Sequence, residues 1–259
     1  MAKSKDSIGN TLIVAISVSL VCSVLVASAA VILKPQQLKN EEEFRQRIIV
    51  DVAGFDLASD DLQTLYGQIE PRLVDLETGE YVDGINADEF DAAEAANSAD
   101  MGISVPADLD IASVRRRAIY GAVYLVMDGE GIDQIILPVH GAGLWSTMQG
   151  YLAVDADGNT VRGLRFFAHA ETPGLGDGID KPDWRAQWVG KSLYDESGAP
   201  RIEVIKGNVD ETSPTAKYEI DGLAGATLTG RGVQYLVQYW VGEHGYGPYL
   251  DRRQQEAQR

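Results

Sequence analysis

The sequence predicts an α+β protein, in which a single N-terminal transmembrane helix precedes a domain with a mainly antiparallel sheet and flanking helices. Three observations support this fold class. Residues 12–33 carry no charged side chain, apolar runs between residues 119 and 167 come in pairs around Gly- and Asp-rich turns, and apolar residues at helical spacing follow Thr227. Antiparallel strands followed by a terminal helix are typical of α+β domains.

The uncharged stretch at residues 12–33 is long enough to cross a membrane. A helix of about 22 residues is about 33 Å long, which matches a hydrocarbon core of about 30 Å. A cleaved signal peptide is the alternative, because residues 27–29 read Ala-Ser-Ala like a cleavage site, but the apolar runs of signal peptides span only about 7–15 residues. We therefore predict an uncleaved anchor at 12–34, preceded by a short cytoplasmic segment at 1–11.

Residues 35–116 are predicted to form an acidic, partly helical and partly irregular segment close to the membrane. The helix can continue over 42–52, and the spacing of apolar residues predicts a second short helix over 60–69. Between Asp83 and Asp110, acidic and small residues dominate without a sustained apolar period. We expect this stretch to be an exposed excursion that can contact a partner protein.

Residues 117–250 are predicted to form the main domain, followed by a tail at 251–259. Two apolar runs flank the sequence Asp-Gly-Glu-Gly at 128–131, which is a hairpin signal, and a second pair flanks another Asp- and Gly-containing turn. An amphipathic helix is predicted after Thr227. The predicted strands cover 119–127, 132–139, 151–154, 161–167 and 201–205.

Composition excludes several classes of function. The net charge of −17 argues against nucleic acid as a partner, because phosphate backbones would repel so acidic a chain. The single cysteine, Cys22, allows neither an internal disulfide nor an iron–sulfur cluster held by this chain alone. No Gly-rich dinucleotide fingerprint and no metal-ligand spacing is present, so we predict no NAD site and no metal site. An electron carrier in this chain would have to be an organic cofactor.

The stretch from Asp221 to Thr229 places hydroxyls beside small residues at the predicted start of a helix. Such a start offers unpaired backbone N–H groups and the positive end of the helix dipole, so it can bind a phosphate. The alternative is an ordinary threonine cap behind a tight turn. Asp221 could orient a threonine hydroxyl or bind a metal used when the phosphate is attached, or it could simply stabilise its own turn. The predicted phosphate-site residues are Asp221, Gly225, Ala226, Thr227, Leu228 and Thr229.

The string from Asp221 to Thr227 is similar to the flavin-attachment motif of the FMN-binding domain family, whose pattern is Asp, Gly, any residue, Ser or Thr, Gly, Ala, Thr. The resemblance implies one FMN per chain, bound to Thr227 through a phosphoester that a separate flavin transferase installs. Thr229 is the fallback acceptor. Ala224 departs from the pattern, since Ser or Thr is usual there.

More of the chain resembles the C-subunit family of sodium-translocating NADH:quinone oxidoreductases. The landmarks, in order, are the anchor, the run His-Gly-Ala-Gly-Leu-Trp at 140–145, the run Glu-Thr-Pro-Gly-Leu-Gly at 171–176, and the attachment motif. The resemblance implies an electron-transfer protein of a larger membrane complex, with no catalytic residue of its own. Its other implications are further subunits as partners, sodium export coupled to quinone reduction, and a large domain on the periplasmic side of the bacterial inner membrane.

The two landmark runs offer the mixture of groups that a flavin ring needs. Isoalloxazine is flat and largely apolar with a polar edge, so its pocket requires apolar faces and a few hydrogen-bonding groups. Without the resemblance, a Trp in such a loop is usually part of the core, and Pro-Gly-Leu-Gly is usually a tight turn. The resemblance implies that the ring contacts Leu144, Trp145, Ser146, Glu171, Thr172, Gly174 and Leu175.

Two other interpretations stay open. The chain could be the flavoprotein of the related ferredoxin:NAD oxidoreductase complex, which shares the attachment motif. It could also be a membrane-anchored binding or assembly protein that has lost its flavin, and Ala224 is the residue that hints at this. His140 and His169 are expected to be structural, because no class of metal site has their spacing.

Overall fold

The computed structural model of the chain describes residues 8–129 and 131–257. These residues form two compact units, one ending at Arg45 and the other beginning at Gln46. Residues 1–7 of the predicted cytoplasmic segment, Glu130 of the predicted hairpin turn, and residues 258–259 of the predicted tail lie outside the described residues.

The first helix, α1, runs over Ile8–Val52 with Pro35 inside it. Its apolar part is long and apolar enough to cross a membrane, and the large apolar side chains there are exposed. Near the C-terminal end of α1 the apolar side chains are no longer exposed, and Ile48, Ile49 and Val50 are buried. The predicted helical continuation over 42–52 is therefore part of α1.

Further helices and the strands follow in chain order. The other helices are α2 (Leu62–Tyr66), α3 (Ala92–Asn97), α4 (Pro182–Ala186), α5 (Thr227–Val241) and α6 (Gly247–Ala257), with 3-10 turns at Gly176–Asp180 and Ala216–Tyr218. The strands are β1 (Ile69–Asp75), β2 (Tyr81–Val82), β3 (Gly102–Ser104), β4 (Arg116–Ala118), β5 (Tyr120–Asp128), β6 (Gly131–Ala142), β7 (Thr147–Asp155), β8 (Val161–Ala168), β9 (Glu203–Val204) and β10 (Glu219–Ile220).

The central element is a six-stranded antiparallel sheet in the order β2-β1-β5-β6-β7-β8. The predicted fold class is confirmed, and the two predicted hairpins are the pairs β5–β6 and β7–β8. The predicted strand at 201–205 shrinks to the two residues of β9, which pair in parallel with β10. The predicted helix after Thr227 is α5.

The segment before residue 117 differs from the expectation. Apolar spacing predicts a helix over 60–69, but α2 covers only Leu62–Tyr66, and Ile69 begins β1, which pairs with β5 along its whole length. The sheet therefore starts upstream of residue 117. The excursion expected at 83–110 contains α3 and β3, and β3 pairs with β4.

The sheet is buried on both faces. Along β6, Ile135 and Leu137 point into a core that includes Val233 and Leu236 of α5, whereas Ile136 between them points to the opposite face, where the end of α1 packs. Successive strand residues face opposite ways, so a sheet covered on both sides reads as a continuous apolar run. Because α5 packs on this sheet, its first turn is held in a fixed place.

Candidate functional site

The first turn of α5 lacks a side-chain cap. Its N-cap is Ala226, which makes no side-chain capping bond, and the first helical hydrogen bond runs from the Gly230 N–H to the Ala226 carbonyl at 3.0 Å. The N–H groups of a first helical turn have no partner within the helix. Thr227, the first helical residue, is exposed at the surface in this same turn.

The loop before α5 approaches the loop around Leu175 closely. Gly225 has a φ of 75°, which a side chain rarely adopts. A Cβ added there would lie 2.9 Å from Cδ2 of Leu175. The glycine therefore allows the attachment motif and the second landmark loop to lie against one another.

The first landmark loop is tied to the second by hydrogen bonds. The indole N–H of Trp145 donates to Oγ1 of Thr172 at 3.0 Å, and the N–H of Ala170 donates to Oγ of Ser146 at 2.8 Å. Trp145 is nevertheless 68% exposed. The tryptophan thus lies on the surface with its polar edge held in place.

Glu171 lies beneath these loops and connects them to α5. The residue is only 4% exposed. Its Oε1 accepts hydrogen bonds from the N–H groups of Leu144 at 2.9 Å and Trp145 at 3.2 Å, and its Oε2 accepts one from the Thr229 hydroxyl at 2.5 Å. One carboxylate therefore joins all three predicted parts of the site.

The two threonines of the motif differ in accessibility. Thr229 is 1% exposed and donates its hydroxyl to Glu171, whereas Thr227 is exposed. Among the predicted site residues, Glu171 and Thr229 are thus buried beneath the residues at the surface. Thr227 is the hydroxyl that an incoming group can reach.

Asp221 acts as a bridge between loops. Its Oδ1 accepts from the N–H of Val209 at 2.7 Å and its Oδ2 from Nε2 of Gln187 at 3.2 Å, while its carbonyl accepts from the indole of Trp184 at 2.9 Å. The bonds of its carboxylate therefore hold distant loops together rather than its own turn. The partners lie 12, 34 and 37 positions away in the sequence, so local spacing gives no signal for them.

The two histidines near the site are held by protein partners. His169 contacts Oδ2 of Asp180 at 2.8 Å through Nε2, and its Nδ1 accepts from the Glu171 N–H at 3.2 Å. His140 packs against Trp240, with ring centroids 4.8 Å apart. Burial lowers the pKa of His140, and nearby Asp110 offsets part of that effect. Both histidines have structural surroundings.

The surface of the site combines apolar faces with a polar edge. Its large apolar side chains are about half exposed, which is unusual for soluble surfaces when such residues share one site. Hydroxyls of Ser146 and Thr172 lie at its border, and the uncapped helix start supplies N–H groups for a phosphate. This set fits a flat apolar ring with a polar rim and a phosphate tail. The apolar residues are Leu144, Trp145, Leu175 and Leu228.

Comparison with known proteins agrees with this site. The FMN-binding domain family matches residues 143–242, a range that contains the end of the first landmark run, the whole of the second and the start of α5. The antiparallel sheet, the two loops and the motif thus define an FMN-binding domain. It follows a helix long enough to span a membrane.

Full-length relatives give the more particular assignment. The chain is 48% identical over 248 residues to the Na(+)-translocating NADH-quinone reductase C-subunit of Vibrio vulnificus, covering 95% of this chain and 96% of the relative. The crystal structure of Shewanella oneidensis NqrC matches with a TM-score of 0.77 and 31% identity over 84% of this chain and 99% of that one. The C-subunit from Parabacteroides distasonis matches with a TM-score of 0.65 and 28% identity over 84% and 96% of the two chains. The chain belongs to the C-subunit family of Na(+)-translocating NADH-quinone reductases.

Proposed function

We propose that this chain carries one FMN on Thr227 through a phosphoester and transfers electrons within a Na(+)-translocating NADH:quinone reductase. The observation that carries the proposal is an exposed threonine hydroxyl at an uncapped helix start, beside exposed Leu and Trp side chains. The other subunits of the complex are its partners, and a flavin transferase is its partner during maturation.

The phosphate end of the cofactor suits the start of α5. The N–H groups of the first turn and the positive end of the helix dipole stabilise a phosphate charge. Arg231 lies one turn after Thr227 on the same exposed side of the helix and adds a cation. In forming the ester, the Thr227 oxygen bonds to phosphorus and loses its proton, and the donor's phosphoanhydride bond breaks. A flavin dinucleotide contains such a bond, and its nucleoside monophosphate would be the leaving group.

The ring end suits the two landmark loops. Leu144, Trp145, Leu175 and Leu228 offer apolar faces, and Ser146, Thr172 and the backbone at Gly174 offer polar groups at the border. When bound, FMN supplies electron transfer in single or paired steps, and the protein supplies position, ring contacts and tuning of the potential. A covalent tether keeps a relay cofactor in place through every redox cycle.

We further propose that the apolar part of α1 holds the chain in the bacterial inner membrane, with residues 1–11 in the cytoplasm and the large domain on the periplasmic side. A tether is most useful there, because a flavin lost outside the cytoplasm is not readily replaced. Labelling of single cysteines, placed at Ser7 and at Ser197 in a Cys22→Ser chain, with a membrane-impermeant reagent tests the orientation. Labelling at Ser7 alone in intact spheroplasts would contradict it.

The attachment is tested by intact-mass measurement of the full chain coexpressed with a flavin transferase. We expect an added mass of one FMN less one water, and a fluorescent band after denaturing electrophoresis. Thr227→Ala should lose both signals, whereas Thr227→Ser and Thr229→Ala should keep them. A folded wild-type chain without flavin would contradict the relay function. Flavin retained in Thr227→Ala and lost in Thr229→Ala would contradict the acceptor assignment.

A substitution at Ala224 distinguishes a functional flavoprotein from a chain that has lost its flavin. The residue is exposed, so the hydroxyl missing from the family pattern leaves no buried group unpaired. We therefore expect Ala224→Ser to change the extent of flavin attachment by no more than about twofold, because substitutions at exposed positions usually change free energies by about 0.5 kcal/mol or less. A wild-type chain that stays empty while Ala224→Ser is loaded would support the loss of function in the natural sequence.

A further inference from the structure

We propose that Glu171 is a positioning residue of this site. It holds the first landmark loop and the first turn of α5 in the arrangement that receives the flavin, and Glu171 itself does not contact the flavin. This inference rests on the proposed function. The residue is 4% exposed, and its two carboxylate oxygens are taken by the N–H groups of Leu144 and Trp145 and by the hydroxyl of Thr229.

The chemistry of this carboxylate supports a positioning role. Burying a carboxylate is costly unless hydrogen bonds or a cation compensate it. Within residues 8–129 and 131–257, Glu171 forms no ion pair with a lysine or arginine, so three hydrogen bonds compensate it. Hydrogen bonds to a charged acceptor are shorter and stronger than neutral ones. The loop and the helix are therefore fixed to one another more firmly than a neutral side chain would fix them.

The backbone is shaped around this carboxylate on both sides. A Cβ added at Gly143 would collide with Oε1 of Glu171. A Cβ added at Gly176 would lie 2.8 Å from Oγ1 of Thr229 and 2.9 Å from Cβ of Glu171. Both landmark runs thus place a glycine where the carboxylate and its threonine partner need the space. These close contacts are a second observation, separate from the hydrogen bonds, that indicates a structural role for Glu171.

The linkage also explains which threonine is available for modification. The Thr229 hydroxyl donates a hydrogen bond to Glu171 and is buried, so it is not free to attack a flavin donor. The same bond ties the first turn of α5, on which Thr227 faces outward, to the loop that carries Leu144 and Trp145. Glu171 accordingly prepares the ring contacts and the attachment point together.

The test uses the purified full chain and measures the rate of FMN attachment by a flavin transferase. Glu171→Ala removes all three hydrogen bonds, and Thr229→Val removes one of them while keeping the shape of the side chain. We expect the attachment rate to fall about tenfold for Thr229→Val and further for Glu171→Ala, since bonds to charged groups are the stronger ones. The double variant should be no slower than Glu171→Ala, because both changes act on one linkage.

A matched control comes from Asp157, whose carboxylate accepts the same kinds of donors. It bonds the N–H groups of Asn159 and Thr160 at 2.8 Å each and the Thr160 hydroxyl at 2.6 Å. Asp157 follows the C-terminal end of β7, whereas Thr147 begins that strand. At about 3.3 Å per strand residue, the two ends of β7 are about 25 Å apart. Asp157→Ala should lower the Tm and leave the attachment rate unchanged.

The outcomes separate the two proposals. A wild-type chain that takes up no FMN contradicts the proposed function. If the wild type is loaded and Thr229→Val and Glu171→Ala are loaded as fast, the positioning role is wrong. Glu171→Gln keeps an oxygen for Leu144 and Trp145, so its loaded form should have the wild-type flavin absorption spectrum. A shifted absorption maximum in that variant would mean that the carboxylate contacts the ring, and would also overturn the inference.

Discussion

Replacing Gly225 with alanine should affect stability and flavin binding through two separate causes. The residue has a φ of 75°, and an L-residue in this left-handed region costs about 1–2 kcal/mol. In a domain of this size, a loss of 1 kcal/mol lowers the Tm by about 2–4 °C. We therefore expect Gly225→Ala to melt about 2–8 °C below the wild type in the absence of flavin.

The second effect comes from the close approach of Leu175. The new Cβ would lie 2.9 Å from Cδ2 of Leu175, whereas carbon atoms prefer about 3.5–4.0 Å. Leu175 is 46% exposed, so it can turn away. Complete burial of a leucine side chain contributes about 1.5–3 kcal/mol, and about half of that is available here. A displaced Leu175 should thus weaken binding of free FMN by roughly fivefold.

A matched control separates these causes. Gly190 has a φ of 81°, and a Cβ added there would meet no atom within 4 Å. Gly190→Ala should therefore lower the Tm equally without changing FMN affinity. Thermal unfolding and fluorescence titration of the flavin-free chain measure both quantities. Equal FMN affinities in the two variants would refute the contact of Leu175 with the ring, and an unchanged Tm in Gly225→Ala would refute the backbone cost.

Three further expectations concern single side chains. Asp221→Ala should lower the free energy of unfolding in urea by about 1–3 kcal/mol, because the N–H of Val209 loses its acceptor. Trp145→Phe should change the Tm by less than about 2 °C, since the side chain is 68% exposed, yet weaken FMN binding in titrations because the bond to Thr172 is lost. Burial lowers the pKa of His140, so the unfolded chain binds the proton more readily than the folded one. Stability should therefore be full above the ordinary histidine pKa of 6.5 and fall as the pH drops from there toward the folded pKa, by at most about 1.4 kcal/mol per pH unit, and His140→Gln should remove that slope.

The parts of the fold that could be predicted are those with strong local patterns. The strands β5 to β8 are long apolar runs between Gly- and Asp-containing turns, and α5 repeats its apolar residues at helical spacing. In contrast, β1 reads Ile-Glu-Pro-Arg-Leu-Val-Asp, and its proline and charges hide the strand. Its extended conformation depends on pairing with β5, which is a contact between distant parts of the sequence. The local spacing of apolar residues does not predict such pairing.

The same distinction applies to the site. The attachment motif and the two landmark loops are recognisable as sequence strings, and the structure brings them together. The burial of Glu171 and the bridge from Asp221 to Val209 could not be predicted, because their partners are separated in the chain and each depends on the completed sheet. The family resemblance implies that Glu171 contacts the flavin directly. Its burial instead indicates a support beneath the surface.

The choice between the two threonines, however, is already present in the phase of α5. Residues two apart on an α-helix differ by about 200° around its axis, so Thr227 and Thr229 must face opposite sides. Counting back four residues from the buried Val233 gives Thr229, whereas counting forward four from Thr227 gives the exposed Arg231. The pattern that buries α5 against the sheet therefore turns Thr229 toward Glu171 and leaves Thr227 as the hydroxyl open to solvent. Exposing the hydroxyl of Thr229 would require rotating α5 out of its packing against the sheet.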